Sequence, residues 1–392
     1  MTEPPAIAPG RILVVDDNEM NRDMLSRRLV RRGYVAEIAE DGKQALQMME
    51  HGNFDVILLD IMMPGMNGYE VLEQIKRHKE WQHIPVVMIS AVDEIDSVVR
   101  CIKLGAADYL PKPFNVTLLT ARVEACLARK RLRDREQIYL ASLTRELEIG
   151  RQIQQGFLPA DLPQAKGWEL AARFLPARQV AGDFYDAFRF GNDGRIGLVV
   201  ADVCDKGVGA ALFMALFRSL IRAFSEQRNG TGDDASADLL RVVRSVNDYI
   251  ASTHDRANMF ATVFFGALDP ATGHLTYVNA GHDAPVLICR DGGISRLEPT
   301  SPAVGLLPDL PYATADVTIE PGSVLTMFTD GVTDARGTGG ESFGEDRLIR
   351  VLSDNESDAA GLLDRLVSSV SAFVGGATPF DDITLLAVRR SS

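Results

Sequence analysis

Two sets of acidic residues in this chain have the types and spacing for phosphorus chemistry. The first lies in the N-terminal third. Asp16 and Asp17 follow the apolar run Ile12–Val15, Asp60 follows Val56–Leu59, Ser90 follows Val86–Ile89, and Lys112 follows Asp108–Pro111. Three carboxylates gathered at strand ends repel one another strongly where the dielectric is low. A divalent cation that needs few fixed oxygen ligands, Mg2+ above all, relieves that repulsion. Together with the Lys112 ammonium it would neutralise a phosphoryl group arriving on the central carboxylate, which can act as a nucleophile and form an aspartyl phosphate. One acid at a strand end says only that loops are wet; the full set with Lys112-Pro113 says more.

The second set is spread over the C-terminal two thirds. It occupies Ala181-Gly182-Asp183-Phe184-Tyr185-Asp186, Val200-Ala201-Asp202-Val203-Cys204-Asp205-Lys206-Gly207, Phe328-Thr329-Asp330-Gly331-Val332 and Phe380-Asp381-Asp382-Ile383-Thr384. Each segment adjoins an apolar strand, so each aspartate could project from a sheet edge, and neighbouring glycines let backbone approach an ion or a phosphate. Carboxylates without cysteine and with little histidine favour Mg2+ or Mn2+ over Zn2+. Enough of them could hold two ions about 3.5–4 Å apart, which activate a water for in-line attack on phosphorus. Asp-Gly and Gly-Asp are also common turn dipeptides. A single segment therefore reads as a turn, and the four in order are what point to a metal site.

Elements of two kinds must position these groups. In residues 1–124, apolar runs of four or five residues alternate with helical stretches such as Asn18–Arg32, Gly68–Lys79 and Asp96–Leu104. That pattern predicts an α/β domain, a five-stranded doubly wound parallel sheet covered on both faces. Residues 125–158 are highly charged and carry Leu140, Leu143, Leu147, Ile149, Ile153 and Phe157 at short helical spacings. They predict one long linking helix, a candidate coiled coil whose stripe drifts from a strict heptad, ended by Pro159 and Pro163. Residues 159–392 mix strands with helices over Val208–Arg228, Ala237–Thr253 and Ala359–Val374, which predicts an α+β domain. Residues 228–235 and 336–341 read as exposed loops.

Composition narrows the function. The chain has 392 residues, too many for one ordinary domain, with 41 Lys plus Arg against 54 Asp plus Glu, a net charge of −13. Such an acidic chain repels nucleic acid and anionic lipid, so neither is an expected partner. No apolar run approaches the roughly 18 residues needed to cross a bilayer, and Leu212–Phe217 reads as a buried helix face. The N-terminus lacks signal-peptide character. Cys101, Cys126, Cys204 and Cys289 lie far apart, which favours a reducing cytoplasm over a disulfide framework. No Walker A or GxGxxG pattern suggests a nucleotide cofactor.

Residues 11–124 resemble the receiver domain of two-component response regulators. The resemblance rests on Val-Val-Asp-Asp, Leu-Leu-Asp-Ile-Met-Met-Pro-Gly-Met-Asn-Gly, Met-Ile-Ser-Ala and Tyr-Leu-Pro-Lys-Pro-Phe. It implies Asp60 as phosphoacceptor, with Mg2+ held by Asp16, Asp17, Asp60 and the Met62 carbonyl. It further implies Ser90 and Lys112 as phosphoryl contacts, Tyr109 as the aromatic that turns inward when Ser90 engages, and a cis Lys112–Pro113 bond.

Residues 145–390 resemble the bacterial metal-dependent serine/threonine phosphatases of the PP2C type, the SpoIIE- and RsbU-like branch. Besides the four aspartate segments, Glu148-Ile149-Gly150-Arg151-Gln152-Ile153-Gln154-Gln155 and Val278-Asn279-Ala280-Gly281-His282-Asp283-Ala284-Pro285 carry this resemblance. It implies an α/β/β/α sandwich holding two Mn2+ or Mg2+ ions. Asp202 would bridge the ions, with the Val203 carbonyl on one, Asp330 and Asp381 on the second, and Asp183, with Asp186 a further candidate, on metal-bound waters. Two departures stand out: Ala181 for the usual Gly, and Cys204-Asp205 for Ser-Gly. Asp tolerates positive φ better than most residues, so the turn is expected to survive. Cys204 reads as a small packed residue. Arg178 is a candidate fork for substrate phosphate and equally a solvated arginine; His282 reads as structural.

The expectation is a cytoplasmic response regulator whose output is a protein phosphatase. A cognate histidine kinase would phosphorylate Asp60. The 125–158 helix, through which a homodimer is expected, would pass the change on. The substrate would be phosphoserine or phosphothreonine on a partner protein, by family analogy an anti-sigma factor antagonist. A non-catalytic adaptor that binds a regulatory protein through a phosphatase-like domain is the rival; a DNA-binding output fails on charge and on the missing helix-turn-helix.

Overall fold

The computed structural model describes residues 9–90, 95–191, 194–227, 234–353, 358–376 and 380–391. It divides into two compact units, Met1–Leu143 and Thr144–Ser392. In the first, β1 (Arg11–Val15), β2 (Val35–Ala39), β3 (Val56–Asp60), β4 (Val86–Ser90) and β5 (Asp108–Pro111) form a parallel sheet in the order β2-β1-β3-β4-β5. Its helices are α1 (Glu19–Arg31), α2 (Gly42–His51), α3 (Gly68–Arg77), α4 (Ile95–Lys103) and the first part of α5 (Val116–Gln155), which continues into the second unit. Strands β3 and β4 are buried along their whole length, because helices cover both faces. Leu13, Ile57, Val71, Leu72 and Cys101 pack on one side, and Ile12, Val14, Leu25, Leu119 and Val123 on the other. Asn18 caps α1, and an Asn67/Glu70 capping box starts α3.

The second unit is built on two antiparallel five-stranded sheets. One has the order β13 (Ala315–Thr318), β10 (His274–Ala280), β9 (Ala261–Leu268), β8 (Arg195–Val203), β7 (Phe184–Phe190). The other runs β12 (Ile294–Arg296), β11 (Val286–Ile288), β14 (Val324–Phe328), β15 (Ile383–Arg390), β6 (Trp168–Leu175). Helices α6 (Val208–Glu226) and α7 (Ala235–Thr253) cover the first sheet through Met214, Phe217, Val242 and Val246. Helices α8 (Gly344–Leu352) and α9 (Ala359–Val374) cover the second through Leu348, Leu352, Leu362 and Leu366. Leu198, Val200, Phe264, Leu325, Met327 and Leu386 fill the space between the sheets. The layering is α/β/β/α.

Several elements differ from the sequence reading. The long helix begins at Val116, because Leu119, Val123 and Leu127 still pack in the receiver core. Helix α8 was not expected, although Leu348 and Leu352 sit four apart behind an acidic first turn. Strands β12 and β13 are short and partly solvated, with no apolar run to mark them. The 336–341 loop closes as a small hairpin, with Arg336 bridged to Ser342, while most of the expected 228–235 loop lies outside the described residues. Helix α6 is long and apolar enough to cross a membrane by composition, yet Ala210, Met214, Phe217 and Ile221, at spacings of three and four, pack into the core.

Candidate functional site

Strand order in the first unit reverses between β1 and β3, the place where open α/β sheets bind ligands. Asp60 ends β3 and Asp16 follows β1. Both are buried, and Lys112 bonds Asp60 Oδ2 at 2.8 Å and Asp16 Oδ2 at 2.9 Å. Asp16 is further fixed by the Asn18 amide at 2.9 Å. Carboxylate oxygens of Asp16, Asp17 and Asp60 come within 4.8 Å of one another. Burial, and after it the charges of Asp16 and Asp17, push the Asp60 carboxyl up, against the pull of Lys112. Burial lowers the Lys112 ammonium, but its bonds to Asp60 and Asp16 outweigh this and hold it above its ordinary value. This oxygen cluster fits Mg2+. Gly68 allows it: a Cβ there would stand 2.2 Å from the Asp60 carbonyl. Ser90 is buried at the end of β4, Tyr109 lies half-buried on β5, the Met62 side chain is exposed, and Lys112–Pro113 is cis.

In the second unit, Asp202 lies near the end of β8, Asp183 immediately precedes β7, Asp330 follows β14 and Asp381 precedes β15. The two sheets bring these segments together. Phe184 pairs with Ala201 across β7 and β8, which puts Asp183 and Asp202 side by side at the end of one sheet. Asp183 is buried, and among the described residues its Oδ2 finds no hydrogen-bond partner. Burial first, and the Asp202 charge second, raise Asp183 far above the ordinary carboxylate range. Burial also raises Asp202 to about 6, with Asp381, Asp382 and Asp283 adding repulsion. Asp330 reaches about 7, through burial and then the charges of Asp202 and Asp381. An oxygen-only donor set, with Asp183 buried and Asp202, Asp330 and Asp381 half-buried, an orphaned acceptor and this much mutual repulsion fits hard divalent cations. The second set is looser than the first: among the described residues only Asp16, Asp17 and Asp60 form a three-way carboxylate contact within 4.8 Å. Asp381 instead pairs with Lys206.

Close backbone packing holds the segments in place. A Cβ on Gly331 would fall 1.9 Å from the Asp382 carbonyl oxygen, and one on Gly182 would stand 3.0 Å from the Val203 carbonyl oxygen. Asp205 takes φ 73 and accepts the Lys206 amide on its own side chain at 2.8 Å, so this turn accommodates Asp as expected. Cys204 Sγ accepts the Phe260 amide at 3.2 Å, and burial raises its thiol, which suits packing better than nucleophilic chemistry.

Other candidates separate. Asp186 does not join the aspartate set. It is buried in β7 and forked by Arg222 at 2.7 and 2.6 Å, with Arg218 at 3.1 Å, so its carboxylate is committed to α6. His282 is buried, bonds Thr262 Oγ1 through Nδ1 at 2.8 Å, and burial lowers it to about 4, so it is neutral near pH 7. Arg178 is exposed. Two residues were given no role from sequence. Asp382 is buried and accepts Ala177 N at 2.7 Å and Gly182 N at 3.0 Å. Gln154, near the end of α5, bonds both backbone groups of Ala181. The doubled aspartate at 381–382 is a visible signal; Gln154 lies within the Glu148–Gln155 motif, but a glutamine on a charged helix reads as solvated, so no partner is legible for it.

The profile of the family described as Stage II sporulation protein E (SpoIIE) matches residues 192–391, and that of the response regulator receiver domain matches residues 12–124. Protein IcfG of Synechocystis sp. is 46% identical over 266 residues, 63% of this chain and 42% of that protein. Response regulator MprA of Mycobacterium ulcerans is 40% identical over 134 residues, 34% of this chain and 57% of that protein. The chain thus spans less than two thirds of the length of either relative. Among solved structures, the SiaA-PP2C domain of Pseudomonas aeruginosa is similar in fold, with a TM-score of 0.53 at 23% identity, over 64% of this chain and 98% of that one.

Proposed function

The chain belongs to the family described as Stage II sporulation protein E, with a response regulator receiver domain ahead of that match, and from this premise we propose that it is a phosphorylation-controlled serine/threonine phosphatase. Residues 1–124 receive a phosphoryl group on Asp60 from a histidine kinase, residues 125–158 transmit the change, and residues 159–392 hydrolyse a phosphoserine or phosphothreonine ester. The observation that carries the reading is the buried Asp183, next to Asp202 in the β7–β8 register, whose Oδ2 has no hydrogen-bond partner among the described residues; burial and neighbouring carboxylates raise it and Asp330 alike. That cluster calls for cations. Asp183, Asp202, Asp330, Asp381 and the Val203 carbonyl would hold two Mn2+ or Mg2+ ions. When bound, such ions supply an activated water for in-line attack and neutralise the charge of the phosphoryl group.

The chain's own residues do the rest. Gly182 lets its segment approach the Val203 carbonyl, and Gly331 lets its segment approach Asp382. Asp382 ties the segment before Asp183 to the start of β15. His282, neutral and bonded to Thr262, supports the loop and offers no imidazolium for the leaving oxygen. In the receiver, Ser90 and Lys112 flank Asp60 and would meet its phosphoryl group, with Tyr109 following Ser90. Leu132, Ile138, Tyr139, Leu140, Ile149 and Ile153 are exposed on α5, which supports self-association of two copies along that helix. The proposed substrate is an anti-sigma factor antagonist.

The test uses the full chain with Mn2+, an aryl phosphate and a phosphoserine protein. Hydrolysis of both, lost in Asp202→Asn, is the expected result. Intact substrates with the wild type would leave the adaptor reading in its place.

A further inference from the structure

Helix α5 ends against the segment that carries Asp183. Gln154 Nε2 donates to the Ala181 carbonyl at 2.7 Å, and Gln154 Oε1 accepts the Ala181 amide at 3.0 Å. Gln154 and Ala181 are both buried. A side-chain amide presents a donor and an acceptor side by side, as this two-bond clamp on a single residue's backbone requires, whereas an ionised carboxylate offers acceptors alone. One turn earlier on the same helix face, Gly150 has no side chain, and a Cβ there would stand 3.6 Å from Val180 Cγ1. Helix and segment therefore touch at two successive positions.

From the other side, Asp382 holds the Ala177 and Gly182 amides. Residues 177–182 are thus caught between Gln154 on α5 and Asp382 at the head of β15, and Asp183 is the next residue. The two anchors belong to different elements. Asp382 is adjacent to Asp381, and its backbone packs on Gly331 beside Asp330. Gln154 belongs to the helix that leads back to the receiver. A small shift of the end of α5 must carry Ala181 with it, because parting them would leave a buried N–H and a buried C=O unsatisfied. Among the described residues, no such link joins Asp381 or Asp330 to α5.

We propose that Gln154 is the positioning residue through which the state of Asp60 sets the place of Asp183 relative to Asp330 and Asp381. The inference rests on the phosphatase reading above and names the bond that regulation uses. A fully formed clamp corresponds to one activity state, and a displaced or broken clamp to the other.

The test compares the Mn2+-loaded full chain with and without beryllofluoride, a phosphoryl mimic, on Asp60. Aryl-phosphate turnover, Mn2+ half-saturation and hydrogen exchange of the peptide spanning residues 177–184 are measured. In the wild type, beryllofluoride is expected to change turnover severalfold and to change exchange at Ala181. In Gln154→Ala and Gln154→Glu, the latter keeping the acceptor and losing the donor, the response ratio is expected to fall to within about twofold of one. A merely structural glutamine would lower the melting temperature and leave that ratio alone. The inference is overturned if the variants respond as the wild type does, if turnover changes while exchange at 177–184 does not, or if the wild type turns over without responding. Absence of turnover under every condition would remove the phosphatase reading, and the inference with it.

Discussion

Replacing Asp382 by Asn tests whether the aspartate site depends on a carboxylate that is not among its proposed ligands. The carboxylate is buried and accepts two backbone amides, Ala177 N at 2.7 Å and Gly182 N at 3.0 Å. Burial pushes its carboxyl up, while those two amides favour the anion and pull it back. Asn has nearly the same shape but one acceptor oxygen, so one amide would face an NH2 group, and the other would lose a charged partner. A hydrogen bond to a charged group contributes about 1.5–3 kcal/mol, and an orphaned buried amide costs about 1–3 kcal/mol. The expected loss is about 3 kcal/mol, or about 6–12 °C in the melting temperature of a unit of this size. Because Gly182 precedes Asp183, a fall in kcat of about tenfold or more and weaker Mn2+ dependence should accompany it. Calorimetry of the full chain and aryl-phosphate kinetics over a Mn2+ series measure both. A variant melting within about 2 °C of the wild type with unchanged kcat would refute the view that Asp382 anchors the segment.

Other substitutions probe separate parts of the same structure. Gly331→Ala would place a Cβ 1.9 Å from the Asp382 carbonyl oxygen; backbone must move, so destabilisation of about 3 kcal/mol or more and loss of Mn2+-dependent turnover are expected, and a normal melt would contradict the packing. Asp186→Ala strands Arg218 and Arg222 and should cost about 3 kcal/mol with Mn2+ half-saturation unchanged; a large shift in that half-saturation would return Asp186 to the metal set. For pH, the folded carboxyls of Asp202 and Asp330, near 6 and 7, lie above the unfolded value of 3.8. The folded state therefore holds protons that the unfolded chain has released, and this contribution to the stability of the chelated protein falls as pH rises from about 4 to about 7. Denaturation in EDTA at pH 5 and pH 8 should show the drop, Asp330→Asn should reduce it, and Mn2+ at pH 8 should offset it; equal pH dependence in wild type and variant would refute the assignment.

Sequence by itself carried the two fold classes and marked the acidic residues that the structure places at strand ends. Apolar runs of period one with acids at their ends marked the parallel sheet, because burial on both faces leaves no polar positions inside a strand. Tertiary structure decided what spacing cannot encode. Asp183 and Asp186 are three residues apart, yet Asp183 lies beside Asp202 in the β7–β8 register while Asp186 is bound to arginines on α6. The roles of Gln154 and Asp382 became readable only when residues 27 and 205 positions away delivered their backbone amides. Local pattern fixes which face of an element is apolar. Which backbone group a buried polar side chain satisfies depends on how distant elements pack, and a single sequence does not contain those distances.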